Sequence, residues 1–164
     1  MFGKIKGMFA KEDVRVKVLA PIEGKVVPVS EVNDPTFSEE ILGKGVAILP
    51  AGGRVVSPVN GVVSQMFETG HAVSLVSDEG AEVLIHVGLD TIKLKGECFT
   101  IHAHNGDHVK VGDLLMEFDR AGIIAAGYDA ITPIIICNSA DYQNFEVLTG
   151  KTVKDGEEII LLDK

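Results

Sequence analysis

Short apolar runs rich in β-branched residues follow one another along the chain, broken by Gly, Pro, Asn and Asp. Period-two alternation within several of them points to strands that bury one face. The runs predict strands over Val14–Leu19, Gly24–Pro28, Val46–Pro50, Gly53–Val56, Gly61–Met66, Ala72–Ser77, Val83–Val87, Thr100–Ala103, Leu114–Phe118, Thr132–Ile136 and Ile159–Leu162. Helical signals are few. Asp34 as an N-cap introduces a candidate turn or two of helix over Pro35–Leu42, Asp119–Ala126 is a second candidate, and Tyr142–Glu146 is ambiguous. Many short strands with close turns predict an all-β sandwich or barrel with little helix.

Two internal echoes add to this picture. Ala20-Pro-Ile-Glu-Gly24 recurs as Ser57-Pro-Val-Asn-Gly61, and Val109-Lys-Val-Gly-Asp113 recurs as Val153-Lys-Asp-Gly-Glu157. Each copy of the first echo has a proline-initiated turn and then a glycine that lets the backbone bend sharply into a strand. The two echoes recur at different spacings, so the chain is not a solenoid. They predict two similar halves facing each other in one β-structure.

The 164 residues are 46% hydrophobic and 24% charged, enough to build one domain with a real core, which we place at residues 14–164. The formal charge of −9 argues against a nucleic-acid partner, which would call for a basic face, and suits docking onto positively charged protein surfaces. With no apolar run long enough to span a bilayer and no signal peptide, the expected location is cytoplasmic. Residues 1–13 differ in character. Among the first eleven, the only charged side chains are Lys4, Lys6 and Lys11, while Phe2, Ile5, Met8 and Phe9 have helical spacing. The segment reads either as a flexible terminus, favoured by Gly3 and Gly7, or as an amphipathic helix in weak contact with anionic lipid. Cys98 and Cys137 lie in no paired motif and read as reduced, buried small hydrophobes.

The chemistry concentrates in a β-hairpin whose turn holds Asp78, Glu79 and Gly80. A loop of two or four residues centred on Asp78 and Glu79 would set His71 directly opposite His86 on one face. A three-residue loop would shift the register by one and send them to opposite faces. A neutral imidazole is a nucleophile and can carry a phosphoryl group, whose transfer depends on donors around its oxygens. One histidine accepting the group and the other binding its oxygens would meet that need. Thr69, two residues before His71, can fix that ring's tautomer, and Gly88, two residues after His86, allows a backbone carbonyl to approach the other ring closely.

A second histidine cluster competes. His102 and His104 form an H-x-H spacing of the kind some zinc sites use, but the turn around Asn105, Gly106 and His108 favours solvent-exposed histidines. Phe37, Ile41, Leu42, Val46, Phe67 and Ile92 are apolar. Taken alone they read as core; clustered around the histidines they would form a docking patch.

These residues resemble the glucose-type enzyme IIA domain of the bacterial phosphoenolpyruvate-dependent sugar phosphotransferase system. The resemblance runs from about Val16 to Asp163. It is most specific over Leu84-Ile-His86-Val-Gly-Leu-Asp90-Thr-Ile-Lys-Leu-Lys-Gly96-Glu-Cys-Phe99 and over Phe67-Glu-Thr69-Gly-His71-Ala, supported by Ala20–Gly24 and Phe37–Gly45. It implies an antiparallel β-sandwich of duplicated barrel-sandwich hybrid form. It also implies that His86 accepts a phosphoryl group on Nε2 from the phosphohistidine carrier protein HPr and passes it to a cysteine of a IIB domain. His71 would stabilise the phosphoryl oxygens, Thr69 would orient His71, and Asp90 would meet a basic side chain of the partner. Phe37, Ile41, Leu42, Val46, Phe67, Ile92 and Gly88 fall at positions resembling the partner-binding surface, which reverses the core reading of the apolar six. No cofactor is required, although some members of the family bind zinc at a pair like His71 and His86 when a partner supplies a carboxylate. The chain departs from the family's Gly-x-Gly-Phe at Cys98, where a left-handed backbone would disfavour a side chain.

Three other readings remain on sequence grounds. They are a zinc metallopeptidase of similar duplicated β-architecture using His102 and His104, a swinging-arm carrier suggested by the Val-Lys-x-Gly segments, and a non-catalytic regulatory binding protein. The sugar is not encoded in these residues.

Overall fold

The computed structural model describes residues 15–164; the amphipathic or flexible segment 1–13, and Val14, lie outside them. Among the described residues, fourteen strands make three antiparallel sheets. The first sheet holds β1 (Arg15–Leu19), β14 (Glu158–Asp163) and β12 (Asn144–Val147), in that order. The second holds β4 (Arg54–Val56), β10 (Leu114–Phe118) and β8 (Phe99–Ile101). The eight-stranded sheet runs β13 (Thr152–Val153), β2 (Gly24–Pro28), β3 (Lys44–Pro50), β11 (Thr132–Ile136), β7 (Glu82–His86), β6 (Ala72–Ser77), β5 (Gly61–Met66) and β9 (His108–Val109). Helix is confined among the described residues to α1 (Pro35–Ser38), α2 (Arg120–Ala125) and three short 3-10 turns. The antiparallel β-sandwich with little helix is the architecture that the alternating apolar runs predicted.

The sequence echoes are a structural duplication. The two copies of the second echo pair with the two copies of the first in the same way: Val153 with Gly24, and Val109 with Gly61. The register of β1 on β14, with Val18 opposite Ile160, is repeated by β4 on β10, with Val55 opposite Met116, and each pair carries a bulge near its end. The halves are joined reciprocally. The Leu19 N–H donates to the Pro58 carbonyl (3.0 Å) and the Val56 N–H to the Pro21 carbonyl (2.9 Å). Ala20 N–H reaches the Glu157 carbonyl (2.7 Å) as Ser57 N–H reaches that of Asp113 (2.8 Å). Backbone donors at the proline turns of each half are thus satisfied by the other half or by its matching Val-Lys-x-Gly loop.

One buried cluster fills the space between the sheets, and the strands feed it by alternation: Val73 and Leu75 from β6, Val83 and Ile85 from β7, Ile134 and Ile136 from β11. The duplication breaks at one place. The β5–β6 connection, 67–71, is short, whereas the matching β2–β3 connection, 29–43, is long and contains α1. It folds over the outer face of the large sheet and encloses a second cluster with Val27, Ala47 and Ile135 below and Val29, Val32 and Phe37 above. For that reason every residue of β11 is buried, matching its unbroken apolar run.

Several local expectations need correction. α1 starts as read, with the Asp34 carboxylate accepting from Thr36 N–H (3.0 Å), but stops at Ser38 because the backbone turns left-handed at Glu40. The short strands β9 and β13 and the ladder over 144–147 lacked a readable apolar run of their own; pairing with longer neighbours forms them. Cys137 is exposed and Cys98 half-buried, so neither is the buried residue expected. Cys98 does sit at φ 77, the left-handed region where a side chain costs about 1–2 kcal/mol.

The two echo glycines give a direct test of the duplication. A Cβ at Gly61 would lie 2.1 Å from the Val76 carbonyl oxygen, and one at Gly24 would lie 2.2 Å from that of Leu49. Gly61→Ala and Gly24→Ala are each expected to lower stability by about 1–3 kcal/mol in urea unfolding, because neighbouring backbone blocks both.

Candidate functional site

Between Ser77 and Ala81, which pair across the β6–β7 hairpin, the turn has three residues, Asp78, Glu79 and Gly80. Ser77 N–H donates to the Ala81 carbonyl (2.8 Å), Gly80 N–H donates to the Ser77 carbonyl (2.9 Å), and Gly80 takes φ 98. The register therefore sets Ala72, and not His71, opposite His86. Direct opposition of the histidines is overturned, yet the rings meet. Their centroids are 5.1 Å apart with planes at 82°. His71 precedes β6, beyond a bend in which Gly70 has φ 73, so the alternation of the pleat does not govern its direction. Val87 N–H holds it there by donating to the His71 carbonyl (2.7 Å). From behind, Phe99 and Ile101 of β8 close on Gly70, within about 3.1 Å of where a Cβ would lie.

Each ring is anchored through Nδ1. His86 Nδ1 lies 2.7 Å from the Gly88 carbonyl, which can only accept, so Nδ1 carries the proton and the neutral ring presents an Nε2 lone pair. His71 Nδ1 is hydrogen-bonded to the Thr69 hydroxyl, as the spacing of the two residues suggested. Phe37 tilts against His86 (5.1 Å between centroids) and Phe67 sits edge-on to His71 (5.4 Å). His71 is only 3% exposed and His86 is half-buried. Burial, aided by the nearby His86 charge, lowers the His71 pKa to about 4. Burial also lowers that of His86, against the Gly88 hydrogen bond and the carboxylates of Asp34 and Asp90. Both rings are therefore neutral at neutral pH.

Asp34 is the participant that sequence reasoning missed. It was legible as a helix cap, but only the folding of 29–43 over the outer face brings its charge to His86. Asp90 is exposed at φ 59, at the start of the 3-10 turn Thr91–Leu94. Ile41, Leu42 and Ile92 are exposed, at 67%, 40% and 54%, and Phe67 is half-buried. Val46 and Phe37 are not surface residues. Val46 is fully buried between the sheets, and Phe37 is buried in the outer cluster, where it supports His86. For those two, the core reading stands and the docking reading is withdrawn.

The rival cluster does not converge. His102 Nε2 pairs with Glu117 Oε1 (2.8 Å) at the surface and His104 is exposed. Among the described residues no group of three or more His, Cys, Asp or Glu side chains is arranged to hold a metal. No helix among them is long and apolar enough to cross a membrane.

Fold and site together define a class: a duplicated β-sandwich presenting two neutral, Nδ1-anchored imidazoles face to edge. Residues 16–142 match the family described as phosphoenolpyruvate-dependent sugar phosphotransferase system, EIIA 1, and the chain belongs to that family. It is 44% identical to the PTS system glucose-specific EIIA component of Oceanobacillus iheyensis, over 98% of each chain. It is 51% identical to the PTS system beta-glucoside-specific EIIBCA component of Dickeya chrysanthemi, over 82% of this chain but 21% of that longer one. The structure of glucose permease IIA from Mycoplasma capricolum superimposes with a TM-score of 0.83 at 32% identity, covering 90% of this chain and 95% of that one.

The electrostatics of the pair predict an acid limb of stability. A histidine ordinarily titrates at 6.5 and His71 in the folded protein at about 4, so the unfolded state binds more protons between those values. Stability is complete above the upper value and is lost as pH falls through the window, by on the order of 3 kcal/mol. Urea unfolding across that range should show the slope, and His71→Gln should remove most of it.

Proposed function

We propose that this chain is the IIA phosphocarrier of a sugar phosphotransferase system, taking a phosphoryl group from phospho-HPr onto His86 Nε2 and giving it to a cysteine of a IIB domain. The observation that carries the reading is the facing pair of uncharged rings, one of which directs an Nε2 lone pair away from its Nδ1 anchor. In the first transfer the His86 Nε2 lone pair bonds to phosphorus as the donor's N–P bond breaks and the donor imidazole leaves. In the second a thiolate bonds to phosphorus and His86 Nε2 leaves, with Nδ1–H kept on Gly88 throughout.

With the Thr69 hydroxyl donating to Nδ1, His71 would offer Nε2–H to the phosphoryl oxygens. A dianion on His86 Nε2 would favour the protonated form of the neighbouring His71, so the stabilising ring gains proton affinity when the group arrives. Asp90, with Asp34, would meet a basic partner side chain, and exposed Ile41, Leu42 and Ile92 with half-buried Phe67 would form the apolar contact. Relatives named EIIBCA components, in which the matched portion is part of a longer chain, support a IIB partner. As proposed, the transfer calls on no cofactor: both steps use only the imidazoles of this chain and the reacting groups of its partners. The location we assign is cytoplasmic, where HPr and the IIB domain would meet it. Names of the relatives divide between glucose and beta-glucoside, and the residues of this site would touch phosphate and protein, not sugar.

Incubation with phosphoenolpyruvate, enzyme I and HPr should add one acid-labile phosphate by intact mass, absent in His86→Ala. His71→Ala should accept phosphate but pass it on at least about a hundredfold more slowly. Labelling of His86→Ala at the wild-type level would refute the assignment. Ile41→Asp and Ile92→Asp should raise the apparent KM for phospho-HPr roughly tenfold each while leaving thermal unfolding within a few degrees of wild type.

A further inference from the structure

The tautomer of His86 depends on where one backbone carbonyl points, and that carbonyl is held by residues outside the histidine pair. Peptide units are planar, and in a trans unit the C=O and N–H point in opposite directions. The unit joining Gly88 to Leu89 donates its N–H to the Asp129 carbonyl (3.0 Å), which turns its C=O the other way, onto His86 Nδ1 (2.7 Å). The preceding unit, Val87 to Gly88, is pinned at both ends as well. Its N–H donates to the Ile131 carbonyl (3.0 Å), and its C=O accepts from the Thr91 hydroxyl. The unit before that donates its Val87 N–H to the His71 carbonyl (2.7 Å). Three successive peptide planes are therefore fixed.

Thr91 is fully buried, and its side chain does two things here. Its hydroxyl holds the Val87 carbonyl, and its methyl carbon Cγ2 lies 2.5 Å from where a Cβ on Gly88 would stand. The Asp129 carbonyl oxygen closes the other side of that point at 2.8 Å. Gly88, at φ 77, is thus gripped between a threonine side chain and a neighbouring turn. The Asp129 side chain shapes that turn by accepting from Ile131 N–H (2.9 Å), so one Asx turn presents both carbonyls that pin the segment.

We propose that Thr91 and Asp129 are positioning residues for phosphoryl transfer: they hold the Gly88 carbonyl on His86 Nδ1 and so keep the ring in the tautomer that exposes Nε2. The inference rests on the phosphocarrier reading for its consequence, but the tautomer can be read without any partner. Neither residue touches the reacting atoms.

The test is ring nitrogen-15 NMR of His86 at neutral pH, alongside single-turnover labelling by phospho-HPr. Wild-type protein should show one tautomer, with Nδ1 protonated. Thr91→Val, close in shape but without the hydroxyl, should show averaging of the two nitrogen shifts and labelling slowed about five- to tenfold. Thr91→Ser, which keeps the hydroxyl, should retain the wild-type tautomer and most of the rate. Asp129→Ala, at an exposed position, should move the tautomer in the same direction and carries the test if Thr91→Val fails to fold. An unchanged tautomer in a folded Thr91→Val protein, or in Asp129→Ala if the valine variant does not fold, overturns the inference. Wild-type protein that shows the Nδ1–H tautomer but takes no phosphate would instead overturn the phosphocarrier reading and leave the clamp standing.

Discussion

Neither half of this molecule satisfies its own backbone. Leu19 and Val56, just before the two proline turns, each donate to a carbonyl of the opposite turn, and the loops after β9 and β13 receive the next donors in matching fashion. Buried peptide groups left without partners cost more than a formed hydrogen bond returns, so the halves are stable only when interlocked. This reciprocal exchange sets the two small sheets against the large one and encloses the core between them.

The site arises where that symmetry is broken. The short connection 67–71 carries Phe67, Thr69 and His71, and its matching segment 29–43 carries Asp34 and Phe37 over a second apolar cluster. His86, on the outer face at the end of β7, has Phe37 from the long segment on one side and His71 from the short one on another. An apolar cover lowers the local polarity around His86 and so favours its neutral form, the form in which an imidazole can act as a nucleophile, and the short connection leaves the pair partly open.

Neutrality and orientation come from different sources. Desolvation keeps both rings uncharged, while hydrogen bonds at Nδ1 choose which nitrogen is free. Carboxylates at Asp34 and Asp90 moderate the first effect at His86, so that ring is less suppressed than burial alone would make it. The same charges lie where a cationic partner surface would approach, and exposed Ile41, Leu42 and Ile92 supply apolar area on the molecule's surface. Local strain is kept nearby, at Asp90, Lys95 and Cys98, all with positive φ in the segment that follows His86.

Most of the architecture was legible in the chain because it depends on local rules. Alternation marked the long strands, and Asp34 and Asp119 marked the starts of both helices. The paired Pro–Gly and Val-Lys-x-Gly segments disclosed the duplication, and the histidines stood out by their neighbours. Four matters lay beyond such reading. The length of the β6–β7 loop, and so the register, depended on Gly80 adopting a left-handed conformation that the same composition does not require. The meeting of His71 with His86 depended on a bend outside the strand. Which of the six apolar candidates are interior, Val46 and Phe37, and which are exposed, Ile41, Leu42 and Ile92, depended on the apolar cover over both faces of the sheet, a fact of layers and not of periodicity. Asp34 and the Asp129 turn reach the site from distant parts of the chain. Residue pattern decides what each segment becomes, since its forces act within a few residues; which segments touch is set by closure of the two halves, and that is a property of the whole.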